Sequence, residues 1–255
     1  MPPVYVSHIE YACGSELVTN EDLKRLNPDW NIELIAHKTG VLSRHFCAPN
    51  ELPSDLAYKA ATKLMAQANI PPESIDAVIF CTQSPDYVMP PNASLLHARL
   101  GLPKTTAVFD FTLACSGFIY GLAMAQSWIQ SMGFRRVMLV TGDAYSKYIH
   151  PRDRSARALF GDAVAVSILE PSPLSSSGIV DIDLYSDGTG GPSFMIKAGG
   201  LRNPRSQTTC LPIRDITGNE RTDEHIAMDG RAVLEFAKRE IPPCTQKILT
   251  DNRVR

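Results

Sequence analysis
Short, nearly unbroken apolar blocks alternate along this chain with longer stretches whose apolar residues recur at helical spacing. Leu56 to Ala68 (LAYKAATKLMAQA) has the helical period, with Ser54 or Asp55 placed to cap it and Pro71-Pro72 to end it. Ala77-Val78-Ile79-Phe80-Cys81 is a short apolar block that fits a strand. Pro91-Asn92 opens a second helix that runs to Leu100 and closes at Gly101. Blocks at Thr106 to Phe111, Arg136 to Thr141 and Ala163 to Leu169 predict three more strands, and an apolar helix lies between the first two of them. Strands alternating with helices of this length indicate parallel βαβ units and an α/β fold.

After Leu169 the pattern changes. Pro171 to Ser177 reads as a loose connector, and Gly178 to Tyr185 alternates as a strand would. Ser186 to Ala227 is rich in Gly, Pro, Arg, Asn and Thr and has little periodicity, which predicts irregular structure or extended loops over a site. From Met228 onward Val233, Leu234, Phe236, Ala237, Ile241, Ile248 and Leu249 restore a helical pattern, which Pro242-Pro243 should interrupt or kink. One helix with no strand after it does not complete an α/β layer. The expected organisation is an N-terminal half over 1–185, an irregular region over 186–227, and the start of an incomplete C-terminal half over 228–255.

Composition narrows the function. The 255 residues are 44% hydrophobic and 20% charged, ordinary for a globular protein and enough for one large or two small cores. Net charge is -2 and there is no run of lysine or arginine, so nothing marks a nucleic-acid surface. The start, Met1-Pro2-Pro3-Val4-Tyr5-Val6-Ser7-His8, lacks a charged segment followed by an apolar one, and no stretch approaches 18 uninterrupted apolar residues. The expectation is a soluble cytoplasmic protein without a membrane partner. Six cysteines at 13, 47, 81, 115, 210 and 244 form no close pair, which fits free thiols in a reducing compartment. The first four are spaced by 34, but nothing else recurs at that period and β-rich runs interrupt it, so a helical repeat does not follow.

Among these cysteines Cys115 stands apart. It follows the strand block Thr106 to Phe111 and opens the segment Gly117 to Met132, in which Phe118, Ile119, Leu122, Met124, Trp128, Ile129 and Met132 make nearly every side apolar. That pattern predicts a helix enclosed by protein, whose positive N-terminal end favours a thiolate at Cys115. A thiolate is the species that attacks a thioester. A small buried hydrophobe is the other reading of the same residue, and local context leaves both open.

Six motifs, in order, carry a resemblance. They are Thr19-Asn20-Glu21-Asp22-Leu23; Lys38-Thr39-Gly40-Val41 with Arg44-His45; Ala48-Pro49-Asn50-Glu51; Ala114-Cys115-Ser116-Gly117-Phe118; Arg152-Asp153-Arg154; and Phe160-Gly161-Asp162. Over about Val4 to Asp251 the chain resembles β-ketoacyl-acyl carrier protein synthase III of the thiolase superfamily. The resemblance implies a thiolase-like fold of mixed sheets layered with helices, and a cysteine acyltransferase that uses no cofactor. Cys115 would take an acyl group from a CoA or carrier-protein thioester and condense it with a malonyl thioester, with loss of carbon dioxide, initiating fatty acid or polyketide synthesis. The nucleophile's own backbone N–H would hold part of the oxyanion.

The same resemblance implies a substrate or CoA site of Lys38, Thr39, Arg154, Phe160, Met228 and Gly230. Lys38 stands where the family usually has arginine. Leu34 aligns, within one residue, where a stacking tryptophan is common, and Trp30 lies one turn earlier. Both departures shift the expected donor toward a carrier protein. Ser84-Pro85-Asp86-Tyr87-Val88-Met89-Pro90 resembles a loop that crosses a two-fold homodimer, so that Met89 would line the partner's acyl pocket, where a flexible thioether admits varied chains.

The family's catalytic histidine and asparagine lie in His-Gln-Ala-Asn-like and Gly-Asn-Thr-like segments, and neither segment occurs here. The histidines at 8, 37, 45, 97, 150 and 225 all sit in other contexts. Half of a duplicated fold would leave a large apolar face bare, which points to a piece of a longer enzyme over a shortened homologue. A non-condensing thiolase-like binding subunit, and direct acyl transfer to an alcohol or amine, are the alternative functions.

Other signals fail on their context. Gly188-Thr189-Gly190-Gly191 is followed by Pro192 and opens no dinucleotide-binding helix. No Gly-x-Ser-x-Gly elbow occurs. His150, Asp153 and Asp162 lack the spacing of metal ligands and read as capping or loop residues.

Overall fold
The run Ala77-Val78-Ile79-Phe80-Cys81, apolar without interruption, is what a strand covered on both faces requires. It lies next to the edge strand of a five-stranded mixed sheet in the computed structural model, which describes residues 3–174 and 177–253. In chain order the elements to the end of that strand are β1 (Val4–Cys13), β2 (Glu16–Thr19), α1 (Asn20–Leu26), α2 (Ile32–Thr39), β3 (Ser43–Phe46), α3 (Pro53–Ala68) and β4 (Ala77–Cys81). Then follow α4 (Asn92–Leu100), β5 (Ala107–Phe111), α5 (Gly117–Met132), β6 (Val137–Asp143), α6 (Arg154–Arg157) and β7 (Ala163–Pro171). The last are β8 (Phe194–Ile196), β9 (Ile213–Arg214), β10 (Glu220–Arg221), β11 (Ile226–Met228) and α7 (Gly230–Asp251).

Contacts divide the chain into two compact units that are not linear segments. The first comprises 1–15, 47–144 and 162–184; the second comprises 16–46, 145–161 and 185–255. The first holds the sheet in the order β1-β7-β6-β4-β5. β4 pairs parallel with β5 and β6, while β7 runs antiparallel to both β6 and β1. The fourth apolar block is therefore not part of a parallel βαβ series, because an apolar run on both faces carries no information about direction. Val78 and Phe80 face the cluster built with Leu56, Ala60, Leu64 and Leu96 of α3 and α4. Ala77 and Ile79 face the opposite cluster, with Ala125 and Ile129 of α5.

Local chemistry differs from expectation at three points. Helix α3 begins at Pro53, and its N-cap is Leu52, whose N–H donates to the Asp55 carboxylate at 3.0 Å; neither Ser54 nor Asp55 is the cap residue. The enclosed helix expected over Gly117 to Met132 buries only Gly117, Gly121, Ala125 and Ile129, one stripe at every fourth residue, and leaves Phe118, Ile119 and Met132 exposed. Small residues on that stripe let the helix sit close on the sheet: a Cβ at Gly121 would stand 2.4 Å from Leu139 Cδ1. Gly178 to Tyr185 forms no strand: Ile179 N–H donates to Val4 O at 2.7 Å, but the segment builds no ladder. Two residues of the Pro171 to Ser177 connector, Ser175 and Ser176, lie outside the described residues.

In the second unit, β2 and β3 pair antiparallel, and between them in sequence the capped helix α1 packs with α2 over Leu23, Trp30, Ile32 and Ala158. Arg44, nearly buried, donates to Asn20 Oδ1 and Ala158 O, both at 2.7 Å. The segment 186–227 is largely irregular but contains β8, β9 and β10 and the start of β11; β8 pairs with β11 and β9 with β10. Helix α7 continues through Pro242 and Pro243 without a break. None of its residues is buried, so water can satisfy the carbonyls that lose their N–H partners. Among the described residues no helix is long and apolar enough to cross a membrane.

Candidate active site
Cys115 is exposed, in the turn between β5 and α5 and two residues before the helix starts. This corrects the expectation that it sits within the helix's first turn. Gly117 N–H donates to Ala114 O at 2.8 Å and Tyr120 N–H to Ser116 O at 3.1 Å, so the turn runs directly into helical hydrogen bonding. No side chain caps the helix, and Ser116, its N-cap, has helical backbone angles.

The turn rests on Cys81 at the end of β4. The Cys81 thiol donates to Leu113 O at 3.3 Å, and a Cβ at Gly117 would stand 2.3 Å from its sulfur. Only glycine at 117 lets the helix close over a thiol there. Burial pushes the Cys81 thiol up to about 11, which keeps it protonated as the donor to Leu113. Two cysteines thus have opposite places: Cys81 is a buried prop and Cys115 an exposed sulfur.

The Ser84 to Pro90 loop is fixed at its foot. Asp143 accepts hydrogen bonds from Gln83 N–H at 2.6 Å and from the Thr82 and Ser84 hydroxyls, each at 2.9 Å. Burial pushes the Asp143 carboxyl above its ordinary range against the pull of these donors. Asp86 accepts from the Ser54 hydroxyl at 2.5 Å and from Asn92 Nδ2 at 3.1 Å. Beyond this foot Tyr87, Val88 and Met89 project outward, Val88 being 99% and Met89 79% exposed.

The remaining candidates belong to the second unit. Lys38 and Thr39 are exposed at the end of α2, where the Thr39 hydroxyl donates to Ile35 O at 2.8 Å. Leu34 shares the Lys38 face one turn earlier and is exposed, whereas Trp30 is buried in the core and presents no stacking surface. Arg154 opens the one-turn helix α6, and its guanidinium donates to Thr217 O at 3.4 Å. Phe160 packs edge-on against Tyr145 at 5.4 Å and lies 6.0 Å from Phe194, so its ring serves as packing. Met228 pairs across the ladder with Phe194, and its methyl lies 3.7 Å from where a Cβ of Gly230 would be. Phe160, Met228 and Gly230 are thereby gathered around Phe194; Cys115 and Met89 belong to the first unit.

Several motif residues have structural duties. Glu51 accepts from Ser15 N–H at 2.8 Å and Ala48 N–H at 3.3 Å and pairs with Lys59. Asp153 caps α6, and Asp162 accepts from Cys47 N–H at 2.8 Å. Among the described residues no group of three His, Cys, Asp or Glu side chains is arranged to hold a metal ion. The sequence alone does not mark Cys81 as the prop beneath the turn or Gly117 as the residue that closes over it; only the short spacing from Cys115 to Gly117 points to the second.

The family model for 3-oxoacyl-[acyl-carrier-protein] synthase III matches residues 109–188, which include the Cys115 turn. A β-ketoacyl-[acyl-carrier-protein] synthase III of Caldanaerobacter subterraneus is 34% identical over 92% of this chain and 67% of its own length. One of Symbiobacterium thermophilum is 34% identical over 97% of this chain and 71% of its own. A crystal structure of a 3-oxoacyl-(acyl-carrier-protein) synthase III superposes with a TM-score of 0.93 at 38% identity, covering 100% of this chain and 75% of that one. With its thiolase-like layering of mixed sheet and helices, the chain belongs to the β-ketoacyl-[acyl-carrier-protein] synthase III family of condensing acyltransferases.

Proposed function
We propose that this chain takes an acyl group from an acyl-CoA or acyl carrier protein onto Cys115 and serves a condensing enzyme that starts fatty acid or polyketide chains. The observation that carries this reading is the exposed Cys115 turn seated on Cys81 and Gly117, in a chain of this family. The Cys115 thiolate attacks the thioester carbonyl; the bond from carbonyl carbon to donor sulfur breaks, and the donor thiolate leaves and takes up a proton. The acyl group is then held as a thioester on Cys115. In the condensing step a malonyl thioester loses carbon dioxide, its carbanion forms the new C–C bond at the acyl carbonyl, and the Cys115 sulfur is released.

Loading is the part assigned to this chain's own residues. The segments that carry histidine and asparagine in the family do not occur in this sequence, so enolate stabilisation is not assigned to any residue here. Lys38, Thr39 and Arg154 are proposed to receive the phosphate-bearing end of the donor, and the exposed Leu34 and Lys38 pair supports that placement. Phe160, Met228 and Gly230 are proposed to line the same donor site, which the packing of Phe160 and Met228 on Phe194 supports. The rigid foot and exposed tip of the Ser84 to Pro90 loop support a homodimer in which Met89 meets the partner's acyl pocket. The proposed compartment is the cytoplasm.

Incubation with an acyl-CoA and malonyl carrier protein tests the reading. The expected products from this chain are free CoA and an acyl group on Cys115 in equal amounts, with carbon dioxide and a 3-oxoacyl thioester following once the histidine and asparagine of the condensing enzyme are supplied. Free CoA without carbon dioxide, accompanied by an acylated alcohol or amine, would move the function to direct acyl transfer.

A further inference from the structure
The β9–β10 hairpin surrounds the loop that bears Arg154. Glu220 N–H donates to Arg152 O at 3.3 Å, and Arg154 donates to Thr217 O at 3.4 Å in the connecting turn. That turn is fixed by Asp215, whose carboxylate accepts from Thr217 N–H at 2.9 Å, the Thr217 hydroxyl at 2.7 Å and Asn219 N–H at 3.1 Å. Arg221 closes the ring: its Nη1 lies 3.3 Å from Asp153 Oδ2 and 3.4 Å from Asp215 Oδ2. Asp153 is fully buried and also caps α6, accepting from Ser155 N–H at 3.0 Å. The His150 ring, with its Nε2 3.9 Å from Glu220 Oε1, lies edge to face with His225 at 4.9 Å.

The charge arrangement has a consequence for Arg154. Its nearest acidic neighbour in sequence, Asp153, is engaged by Arg221, and the hydrogen bond from Arg154 goes to a neutral carbonyl. A guanidinium held by a carbonyl keeps its charge for an anion, whereas one paired with a carboxylate is already neutralised. We infer that Arg221 is a positioning residue: by bridging Asp153 and Asp215 it withholds Asp153 from Arg154 and holds the Thr217 carbonyl that aims Arg154 at the phosphate-bearing end of a CoA donor. The inference rests on the reading of Arg154 as a donor-binding residue.

Binding of CoA, and of pantetheine, which lacks the nucleotide and its phosphates, separates the two ideas. Calorimetry on the whole chain is expected to show CoA binding weakened about tenfold by Arg154→Ala and by a similar factor by Arg221→Ala, with pantetheine unchanged in both. The double variant should bind no worse than Arg154→Ala alone, because Arg221 acts through Arg154. Wild-type affinity in Arg221→Ala beside weakened binding in Arg154→Ala overturns the positioning role and leaves the donor-site reading standing. Additive losses in the double variant overturn it as well. Unchanged CoA binding in Arg154→Ala, or CoA bound by wild type no more tightly than pantetheine, overturns the donor-site reading and the inference with it. Where Arg221→Ala fails to fold, Arg221→Lys keeps the charge without the fork and Asp215→Asn loosens the turn. Both must then weaken CoA and spare pantetheine, and wild-type CoA affinity in both contradicts the inference.

Discussion

Gly117 lies directly over the Cys81 thiol, so close that a Cβ at 117 would stand 2.3 Å from its sulfur. The end of β4 and the start of α5 are thereby locked at the turn that presents Cys115. Gly117→Ala must push the helix or the turn away from β4. The expected cost is about 1–3 kcal/mol in thermal or denaturant unfolding, by overpacking, together with loss of acyl loading on Cys115. Adding Cys81→Ala removes the clash, so the double variant should regain stability relative to Gly117→Ala. Loading left at the wild-type rate in the single variant would show that the turn does not depend on this contact.

Thiol chemistry should separate the cysteines. Burial pushes Cys81 up to about 11 and Cys47 is also buried, while Cys115 and Cys210 are exposed. Brief iodoacetamide treatment at pH 8, read by peptide mass mapping, should label Cys115 and Cys210 and spare Cys47 and Cys81 until the protein unfolds.

Glu51 ties stability to acid. Burial disfavours its charge, but hydrogen bonds from Lys59, Ser15 and Ala48 outweigh that and bring the carboxyl from an ordinary 4.5 down to about 2. A carboxyl lower in the folded than in the unfolded state stabilises above the unfolded value, and that contribution is lost as pH falls from about 4.5 through 2. Glu51→Gln should lower Tm at pH 7 and flatten the fall in Tm below pH 4.5, as melting curves across that range would show.

Trp30 and Leu34 should behave oppositely. Trp30 is buried with Leu23, Ile32 and Ala158, so Trp30→Ala should cost about 3–5 kcal/mol of stability. Leu34 is exposed on α2, so Leu34→Ala should cost under about 1 kcal/mol. An aromatic at that position, Leu34→Trp, should strengthen CoA binding about threefold to tenfold through stacking. Calorimetric melts and CoA titrations give the two readings.

Legibility in the sequence followed the physics of burial. β4 was readable to the residue because both of its faces are covered, and α4 because Asn92 opens it and Gly101, with φ of 64°, closes it. β1 is not legible in the sequence, because a register shift between Val6 and His8 breaks its alternation and His8 and Glu10 interrupt its apolar run. The direction of β7 is set by its neighbours and not by its composition. α5 looked enclosed because apolar residues surround it, yet the face it buries is the one lined by Gly117, Gly121 and Ala125. The β9–β10 hairpin is held by Asp215, Arg221 and Asp153, charges that carry no periodicity. The turn that exposes Cys115 is legible from the strand-to-helix boundary; Cys81 beneath it is not, because a buried thiol in an apolar strand looks like any small hydrophobe.

The most direct test of the central claim is intact mass and peptide mapping of the protein after incubation with an acyl-CoA, beside Cys115→Ala. The account predicts one acyl adduct, mapped to Cys115, labile to hydroxylamine and absent from the variant. An adduct that persists in Cys115→Ala, or a wild-type protein that takes up no acyl group from either a CoA or a carrier-protein donor, would contradict it.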